Sequence, residues 1–481
     1  MMTDGWIDQI REVVGADYVL TDPMDLLAYS EDAYTLYRAN PRAVVLPTST
    51  DQVRRVVSIL STHNIPFLPR GAGTSLSGGA TPLENSVIIH LSRMNRIVEI
   101  DVNNQIAVVE PGVINQAITK AVSPLGYFYA PDPSSQQSCT IGGNFAENSG
   151  GPHCLKYGVT LNHVVMAEVI LANGEKTILG NLAGEPDDVD WLGVMIGSEG
   201  TFGIATKLWI KLTPRPRSTE TVLALFDDIT EASQAVSDIV AQGIIPAALE
   251  MMDTLAIKAV ELGPYRVGYP KNLAAVLLIE VDGEAQEVSA MAQRVQKVLQ
   301  NHQVREVRLP SCDEEKARWW ANRKTAFGAM GLISPQYYVQ DGVIPRSRLP
   351  EALAKIRDIA ETYDVAIANV FHAGDGNLHP LLLYDGHDSD MVKRVVQAGS
   401  DILSVCVNLG GSITGEHGVG IEKRDDMLRQ FTAQEIAAQE ALKQAFDPAG
   451  LLNPGKLLPS APTCHELSAT PSATVEPKRG A

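Results

Sequence analysis

The segment "NVFHAGDGNLHPLLLY" contains two histidines seven positions apart, and imidazole nitrogens are common ligands of divalent metal ions. Between them lies GDGN, residues 374–377, a strong turn signal flanked by runs with the composition of β-strands. We expect a hairpin in which these four residues form the turn, Ala373 pairs with Leu378, and His372 lies opposite His379. Opposed side chains lie about 5 Å apart at Cβ, which suits joint ligation of one ion. The alternative is two strand-end histidines that hydrogen bond to solvent or backbone.

A second polar segment, "GGSITGEHGVGIEK", places Glu416 beside His417. Adjacent side chains of an extended segment point to opposite sides, so Glu416 and His417 could have different chemical roles. Glu416 could complete a set with His372 and His379 that leaves open positions for water or substrate. His417 could face the substrate as a general base. The alternative is a glycine-rich turn with a solvated glutamate and a hydrogen-bonded histidine.

Composition limits the partners of this 481-residue chain. Lys plus Arg number 39 and Asp plus Glu 57, a formal net charge of −18, which argues against nucleic acid or a polybasic membrane surface as the main partner. The five cysteines are scattered, without a CxxC pair, so we expect no disulfide framework, zinc ribbon or iron–sulfur site within the chain. Because secretory and membrane-spanning patterns are lacking, we expect a cytoplasmic protein without a membrane span.

Strand and helix patterns predict two differently built regions. "AVVLP", the capping box "STDQ" and "PFLPR" predict a strand, a helix and a strand, and "TPRPRS" (213–218) reads as a linker. Beyond it, strands "ETVLALF", "AVLLIEV" and "VREVRL" alternate with helices around 228–242 and 284–301, which suggests a ferredoxin-like layer. A second capping box, "TAQE", begins a last helix, and the Pro-rich tail from Pro459 is expected to be disordered.

The loop "RGAGTSLSGG" suggests phosphate binding without a Rossmann fold. It contains Gly71-x-Gly73, but the third fingerprint position is Leu76 and no helix pattern follows. A phosphate would therefore be held by a nest of backbone amides. A plain surface loop is the alternative.

Two more glycine-rich segments, "PDPSSQQSCTIGGNFAENSGGPHCLKYG" and "IGSEGTFGI", would let backbone approach a large ligand closely. With "PRAVVLPTSTDQV", the three segments resemble the FAD-binding domain shared by vanillyl-alcohol oxidase and p-cresol methylhydroxylase (PCMH), over about residues 38–217. The resemblance implies that the first loop wraps the FAD pyrophosphate. Ala80 stands where members that attach flavin covalently at this loop have histidine, so we expect noncovalent FAD.

The same resemblance assigns cofactor-binding residues along these segments and at one C-terminal position. They are Pro69, Arg70, Gly71, Ala72, Gly73, Thr74, Ser75, Ser77, Gly78, Pro131, Asp132, Ser138, Gly142, Gly143, Asn144, Ala146, Asn148, Gly150, Gly151, Tyr157, Gly158, Glu199, Gly200, Gly203, Ile204 and Asn453.

Together, "HAGDGNLH", "GEHGVG", "ISPQYYVQDGVIPRSRLP" and "FDPAGLLNPGK" resemble the FAD-linked D-2-hydroxyacid dehydrogenases, a family of glycolate and D-lactate dehydrogenases, over about residues 10–458. The resemblance implies that His372, His379 and Glu416 bind a divalent metal ion, zinc or manganese, and that His417 is the catalytic base. It places Arg323 on the substrate carboxylate, with a surface arginine as the alternative.

The resemblance also bears on substrate size. Members that oxidise D-2-hydroxyglutarate carry polar groups where this chain has Phe327 and Val339. We therefore expect a small 2-hydroxy acid, glycolate or D-lactate.

The expected fold class is α+β, with a two-subdomain PCMH-type FAD-binding domain and a ferredoxin-like substrate (cap) domain. We expect the FAD-binding domain at 1–217 (core 38–217) and the cap domain at 218–412. Residues 413–458 would return to the FAD domain and complete the active site, and 459–481 would form the disordered tail.

The expected function is FAD-dependent, metal-assisted oxidation of a small D-2-hydroxy acid to the 2-oxo acid. Hydride would pass to flavin and electrons to a non-oxygen acceptor, either a quinone or iron–sulfur or flavin partner subunits. Such a partner would place the chain peripherally at the membrane, and a homodimer is a further option. Two alternatives stay open: a zinc hydrolase using His372, His379 and Glu416, and a non-catalytic flavoprotein electron-transfer subunit.

Overall fold

The structure, a computed structural model, describes residues 5–183 and 189–459. The expected tail lies outside the described residues apart from Pro459. Within the described ranges, none of the helices combines the length and apolar character needed to cross a membrane.

The first part of the FAD-binding region is a small sheet in which β2 (Ala43–Val45) and β3 (Phe67–Arg70) run parallel to β4 (Val87–His90). With β1 (Val19–Leu20), the strand order is β1-β2-β4-β3. The Ser49 hydroxyl accepts a hydrogen bond from the Gln52 backbone amide, as predicted for the capping box. The Gln52 side chain, however, accepts from the amide of Thr48 and not from that of Ser49. The elements are α1 (Gly5–Val14), β1 (Val19–Leu20), α2 (Pro23–Leu26), β2 (Ala43–Val45), α3 (Thr50–Thr62), β3 (Phe67–Arg70) and β4 (Val87–His90).

The second part is an antiparallel sheet of β5 (Ile97–Asp101), β6 (Ile106–Val109), β10 (Ile204–Lys211), β8 (Val164–Ile170) and β9 (Lys176–Gly180), in that order. Residues 213 and 214 of the predicted linker form a short strand that pairs with β7 (Tyr127–Phe128). The elements are β5 (Ile97–Asp101), β6 (Ile106–Val109), α4 (Asn115–Val122), β7 (Tyr127–Phe128), α5 (Ile141–Glu147), α6 (Cys154–Tyr157), β8 (Val164–Ile170), β9 (Lys176–Gly180), α7 (Trp191–Met195), β10 (Ile204–Lys211) and β11 (Thr213–Pro214).

The cap region is one antiparallel sheet with helices on both faces, followed by two C-terminal helices. The elements are β12 (Ser218–Phe226), α8 (Ile229–Ala241), β13 (Ala248–Asp253), α9 (Thr254–Leu262), β14 (Ala275–Gly283), α10 (Ala285–Gln300), β15 (Val304–Arg308), α11 (Asp313–Lys324), α12 (Ala326–Ala329), β16 (Gln336–Val339), α13 (Leu349–Tyr363), β17 (Ile367–His372), β18 (Asn377–Tyr384), α14 (Ser389–Asn408), α15 (Met427–Gln430) and α16 (Ala433–Phe446).

The strand order of this sheet is β15-β12-β14-β13-β17-β18-β16. Its first four strands, with α8 and α10, form the βαββαβ unit of a ferredoxin-like layer, so the predicted fold class is confirmed. The sequence interpretation missed β13, which is buried along its whole length and therefore lacks the alternation typical of a half-exposed strand. The predicted capping box at Thr432 is present and begins α16.

After α16 the chain returns to the first sheet. The Phe67 amide donates to the carbonyl of Leu451 at 2.8 Å, and the amide of Asn453 donates to the carbonyl of Phe67 at 2.7 Å. The C-terminal segment therefore pairs with the edge of β3 that faces away from β4.

A buried polar network joins the cap to the FAD-binding region. His153 lies with Nδ1 3.0 Å from Asp132 and Nε2 3.6 Å from Glu280, and Lys324 lies 3.0 Å from Asp132. Burial alone would lower the pKa of His153, but the carboxylates of Asp132 and Glu280 raise it to about 10. Burial would raise the pKa of Glu280, but His153 and Lys316 hold it at about 2. The network is therefore ionised at neutral pH.

We expect His153→Gln to reduce the free energy of unfolding at pH 6 by about 1–3 kcal/mol, since it removes the charged partner of two buried carboxylates, Asp132 and Glu280. Because the pKa of His153 in the folded state lies above its ordinary value of 6.5, its contribution is complete below pH 6.5 and is lost as pH rises toward 10. In denaturant unfolding between pH 6.5 and 10, the free energy of unfolding should fall less steeply with pH in the variant than in the parent. His63→Gln, at an exposed position, is the control. Equal declines in parent and variant would contradict the assignment.

Candidate active site

A cavity of about 430 Å³ is bounded by the three glycine-rich segments on one side and by cap residues on the other. This other side contributes all five residues predicted to do chemistry, three from the cap and two from the loop that follows α14. They are Arg323, His372, His379, Glu416 and His417.

The predicted cofactor residues divide into two groups by position. Those that line the cavity are Pro69, Arg70, Gly71, Ala72, Gly73, Thr74, Ser75, Gly142, Gly143, Asn144, Ala146, Glu199, Gly200, Gly203 and Ile204. Those that lie outside its lining are Ser77, Gly78, Pro131, Asp132, Ser138, Asn148, Gly150, Gly151, Tyr157, Gly158 and Asn453.

Several of the outer residues hold the walls in place. The Asn453 side-chain amide donates to the carbonyls of Gly79, at 3.1 Å, and Glu199, at 2.8 Å, so it joins two glycine-rich segments. Asp132 belongs to the network with His153, and the Tyr157 hydroxyl donates to Asp282. These contacts give the three side chains roles behind the cavity wall.

The glycine-rich wall fits a long dinucleotide. No helix forms between Gly71 and Val87, as expected for a loop that binds phosphate through backbone amides. A Cβ at Gly71 would lie 2.2 Å from the Thr140 hydroxyl oxygen, so glycine is needed for the first two segments to meet. The resulting wall of small residues lets backbone approach a ligand closely.

The hairpin that carries the two histidines has its turn one residue earlier than predicted, which shifts the strand pairing by two residues. His372 lies opposite Asn377, and His379 lies opposite Val370. The predicted direct pairing of His372 with His379 is therefore wrong. The two side chains are instead diagonal neighbours on the same face, with ring centroids 5.0 Å apart.

The shift arises in the turn, which comprises residues 373–376. Gly376 adopts φ +77°, the left-handed conformation that closes the turn, and its amide donates to the Ala373 carbonyl at 3.3 Å. Asn377 therefore begins β18 instead of ending the turn.

The predicted metal ligands converge on one point. Nε2 of His372 and Nε2 of His379 each lie 3.1 Å from the same oxygen, Oε1 of Glu416. The three ligand atoms lie within 4.8 Å of one another, and both imidazoles are buried. Two imidazoles and one carboxylate in a buried cavity wall are a donor set that fits a divalent ion such as zinc or manganese.

Glu250 on β13 connects this set to Arg323. Nδ1 of His372 lies 2.8 Å from Oε1 of Glu250, and the Arg323 guanidinium forms an ion pair with the same carboxylate. Arg323 is only 3 % exposed, so the alternative of a surface arginine is wrong. Sequence reasoning missed Glu250; a lone acidic residue inside the apolar run "ALEMM" was the available signal.

The two carboxylates on either side of His372, those of Glu250 and Glu416, favour a positive charge at this position. Burial alone would lower the pKa of His372, but Glu250 and Glu416 raise it to about 10. Burial would raise the pKa of Glu416, but the two imidazoles hold it well below its ordinary value. Without an ion, the protein thus supplies the positive charge by protonating His372.

Glu416 and His417 lie on a loop whose backbone amides are bound by two carboxylates. The amides of residues 415–417 donate to Asp341, which follows β16. The amides of Val419 and Gly420 donate to Glu199 of the FAD-binding region at 2.6 and 2.7 Å. Asp341 was also missed by sequence reasoning.

His417 stacks on His379, and its Nε2 lies 3.9 Å from Oε1 of Glu416. The two rings are stacked with centroids 4.8 Å apart and an interplanar angle of 8°. Burial, with the nearby His379, lowers the pKa of His417 to about 4 although Asp341 opposes the shift. The imidazole is therefore neutral at pH 7 and available to accept a proton.

The two positions linked to substrate size differ in location. Phe327 lines the cavity and meets the His379 ring edge-on, with centroids 5.8 Å apart. Val339 is buried in the hydrophobic core between the sheet and α9 and α11, outside the cavity lining. Phe327 alone of these two can therefore limit the space beside the ligand set.

Comparisons with known proteins agree with this architecture. A family model described as FAD binding domain matches residues 41–180, and one described as FAD linked oxidases, C-terminal domain, matches residues 215–457. The solved structure of p-cresol methylhydroxylase with substrate bound superimposes with a TM-score of 0.78 at 20% identity, covering 94% of this chain and 96% of that chain.

Curated relatives align along nearly the whole chain. Glycolate oxidase subunit GlcD of Escherichia coli K12 is 45% identical over 460 residues, 96% of this chain and 92% of that protein. GlcD of Bacillus subtilis is 40% identical over 458 residues, 95% of this chain and 97% of that protein. D-lactate dehydrogenase of Anaerostipes hadrus is 29% identical over 475 residues, 97% and 98% of the two chains. The chain therefore belongs to the FAD-linked oxidases and is an FAD-linked oxidoreductase, which overturns the zinc hydrolase alternative.

Proposed function

We propose that the protein oxidises a small D-2-hydroxy acid, glycolate or D-lactate, to the corresponding 2-oxo acid, with noncovalent FAD and a divalent metal ion. The observation that carries the proposal is the meeting of the FAD-binding segments with Arg323, His372, His379, Glu416 and His417 in one cavity. Relatives named glycolate oxidase subunit and D-lactate dehydrogenase support the choice of substrate.

Each end of a 2-hydroxy acid has a matching group in this cavity. Arg323, held by Glu250, presents a guanidinium that can bind the substrate carboxylate in a bidentate manner. His372, His379 and Glu416 would hold the metal ion. A divalent ion, when bound, supplies Lewis-acid chemistry that lowers the pKa of a coordinated hydroxyl.

The oxidation removes a proton from the hydroxyl and a hydride from Cα. We assign proton removal to His417, whose neutral imidazole lies beside His379 in the cavity wall. FAD, when bound, supplies the two-electron acceptor for the hydride. Phe327 next to His379 supports a substrate with a short side chain.

Electrons must then leave the reduced protein. The described cysteines, Cys139, Cys154, Cys312 and Cys406, are scattered through the fold and form no cluster that could carry an iron–sulfur relay within residues 5–183 and 189–459. We therefore propose a quinone, or partner subunits with iron–sulfur or flavin centres, as acceptor. The description of the GlcD relatives as a subunit of glycolate oxidase supports the second option.

Anaerobic titration of the flavin absorbance tests the substrate assignment. Glycolate and D-lactate should bleach the flavin, whereas L-lactate should not, and 2-hydroxyglutarate should react at least tenfold more slowly, a difference of about 1.4 kcal/mol in barrier, because Phe327 limits the cavity. If none of these acids bleaches the flavin, the alternative of a non-catalytic electron-transfer subunit is supported. Bleaching by 2-hydroxyglutarate at the glycolate rate would contradict the size argument.

His417→Ala should retain FAD and metal but reduce the rate of flavin reduction by about 10²–10⁴-fold, the usual effect of losing a general base. Stopped-flow absorbance measures this rate, and flavin and metal content are determined on the same sample. His63→Ala, at an exposed position distant in sequence, is the control. A near-normal rate in the His417 variant would remove this residue from its role.

Glu250→Gln should weaken metal binding about 10–100-fold, because His372 loses the carboxylate that orients it. It should also raise the glycolate concentration for half-maximal flavin reduction, since Arg323 loses its partner. Glu168→Gln is a matched control, because Glu168 is a buried carboxylate of β8 that binds Thr50 and Thr206 away from the cavity. A loss of metal affinity in both variants, or in neither, would argue against the specific role of Glu250.

A further inference from the structure

Asp341 lies behind the proposed metal site and is completely buried. Its Oδ2 accepts the amides of Gly415 at 3.0 Å and His417 at 2.9 Å, and the hydroxyl of Thr414 at 2.5 Å. The amide of Glu416 lies 3.3 Å from both carboxylate oxygens. One side chain therefore fixes the backbone on which a metal ligand and the proposed base are both carried.

Asp341 also faces the ring of His379. Nε2 of His379 points to Glu416, while Nδ1 is buried and makes no hydrogen bond to any described residue. Oδ1 of Asp341 is 3.8 Å from this Nδ1. When an ion lies between Nε2 and Glu416, a carboxylate on the opposite side of the ring favours the tautomer with the proton on Nδ1, in which the Nε2 lone pair can bind the ion.

The arrangement parallels the one around the other histidine. Glu250 lies 2.8 Å from Nδ1 of His372, whose Nε2 also points to Glu416. Each imidazole of the proposed metal set therefore has a buried carboxylate behind it, and the two carboxylates come from different segments of the cap.

A second ion held by Asp341 itself is the competing interpretation, since Asp341, His379 and His417 offer ligand atoms within 4.8 Å of one another. The Asp341 carboxylate, however, already faces the ammonium of Lys423 at 3.3 Å in addition to the backbone amides. Lys423 is completely buried and supplies the positive charge that an ion would bring. Asp341 is thus occupied by protein donors.

We propose that Asp341 is a positioning residue that orients His379 and fixes the loop of Glu416 and His417, so that the metal ligands are arranged before the ion binds. The inference rests on the metal site of the proposed function. It predicts that Asp341 contributes to metal affinity without contacting the ion.

Asp341→Asn in the full-length, FAD-loaded protein tests this role, because it retains side-chain size but removes the charge and one acceptor oxygen. Affinity for Zn²⁺ and for Mn²⁺, measured by competition with a chelator, should fall about 10–100-fold, the usual effect of losing a carboxylate behind a ligating histidine. FAD content and the visible spectrum should be unchanged.

Asp253→Asn is the matched control. Asp253 is a buried aspartate at the end of β13 that accepts the amides of Leu255, Ala256 and Asn369, and it lies outside the cavity lining. This variant should lose stability but keep its metal affinity within about twofold, as expected for an independent site. Equal affinity in parent and Asp341→Asn, or an equal loss in the control, would overturn the inference.

Hydrogen exchange on the unmutated, metal-depleted, FAD-loaded protein decides the question if Asp341→Asn does not fold. The amides of residues 415–417 should exchange slowly in the absence of the ion, because they are bound to Asp341. Rapid exchange that becomes slow only on adding Zn²⁺ would overturn the inference.

The measured affinities distinguish an error in the metal assignment from an error in the role of Asp341. If the parent binds neither ion, the metal assignment is wrong and the role of Asp341 falls with it. If the parent binds an ion and Asp341→Asn binds it equally well, the proposed function stands and only the positioning role is lost.

Discussion

Negative charge buried beside a cofactor cavity is the constraint on which the rest of this structure depends. Glu250, Asp341, Glu416 and Glu199 are all buried or nearly so, and a buried carboxylate is tolerated only when cations or hydrogen-bond donors surround it. The protein provides Arg323 and His372 for Glu250, and Lys423 for Asp341. The imidazoles of His372 and His379 face Glu416, and two backbone amides donate to Glu199. The geometry of the site follows from these pairings.

These pairings explain why the site needs both regions of the chain. The cap sheet supplies Glu250 on β13 and the histidines on β17 and β18, whereas Glu199 belongs to the FAD-binding region. The loop of residues 415–420 lies between them, with some amides directed to Asp341 and others to Glu199. The loop that carries Glu416 is therefore held in place by both the cap and the cofactor domain.

Much of this arrangement was predictable from the sequence, and the exceptions have physical causes. The glycine-rich segments, the ferredoxin-like layer and the grouping of His372, His379 and Glu416 follow from local patterns. The predicted turn was displaced by one residue, and the strand pairing by two, because both Gly374 and Gly376 are compatible with a tight turn, and only the folded hairpin selects the left-handed position. Glu250 and Asp341 were missed because their partners lie 122 and 76 residues away in sequence.

The return of the C-terminal segment to β3 has a consequence for synthesis. The Phe67 amide finds its acceptor only at Leu451, so the edge of the first sheet stays open while almost four hundred intervening residues leave the ribosome. Asn453, which joins two walls of the cofactor cavity, arrives at the same late stage. An open strand edge is a pairing hazard for nascent chains. The flavin site of this enzyme is thus completed by a late segment that also covers the edge of β3.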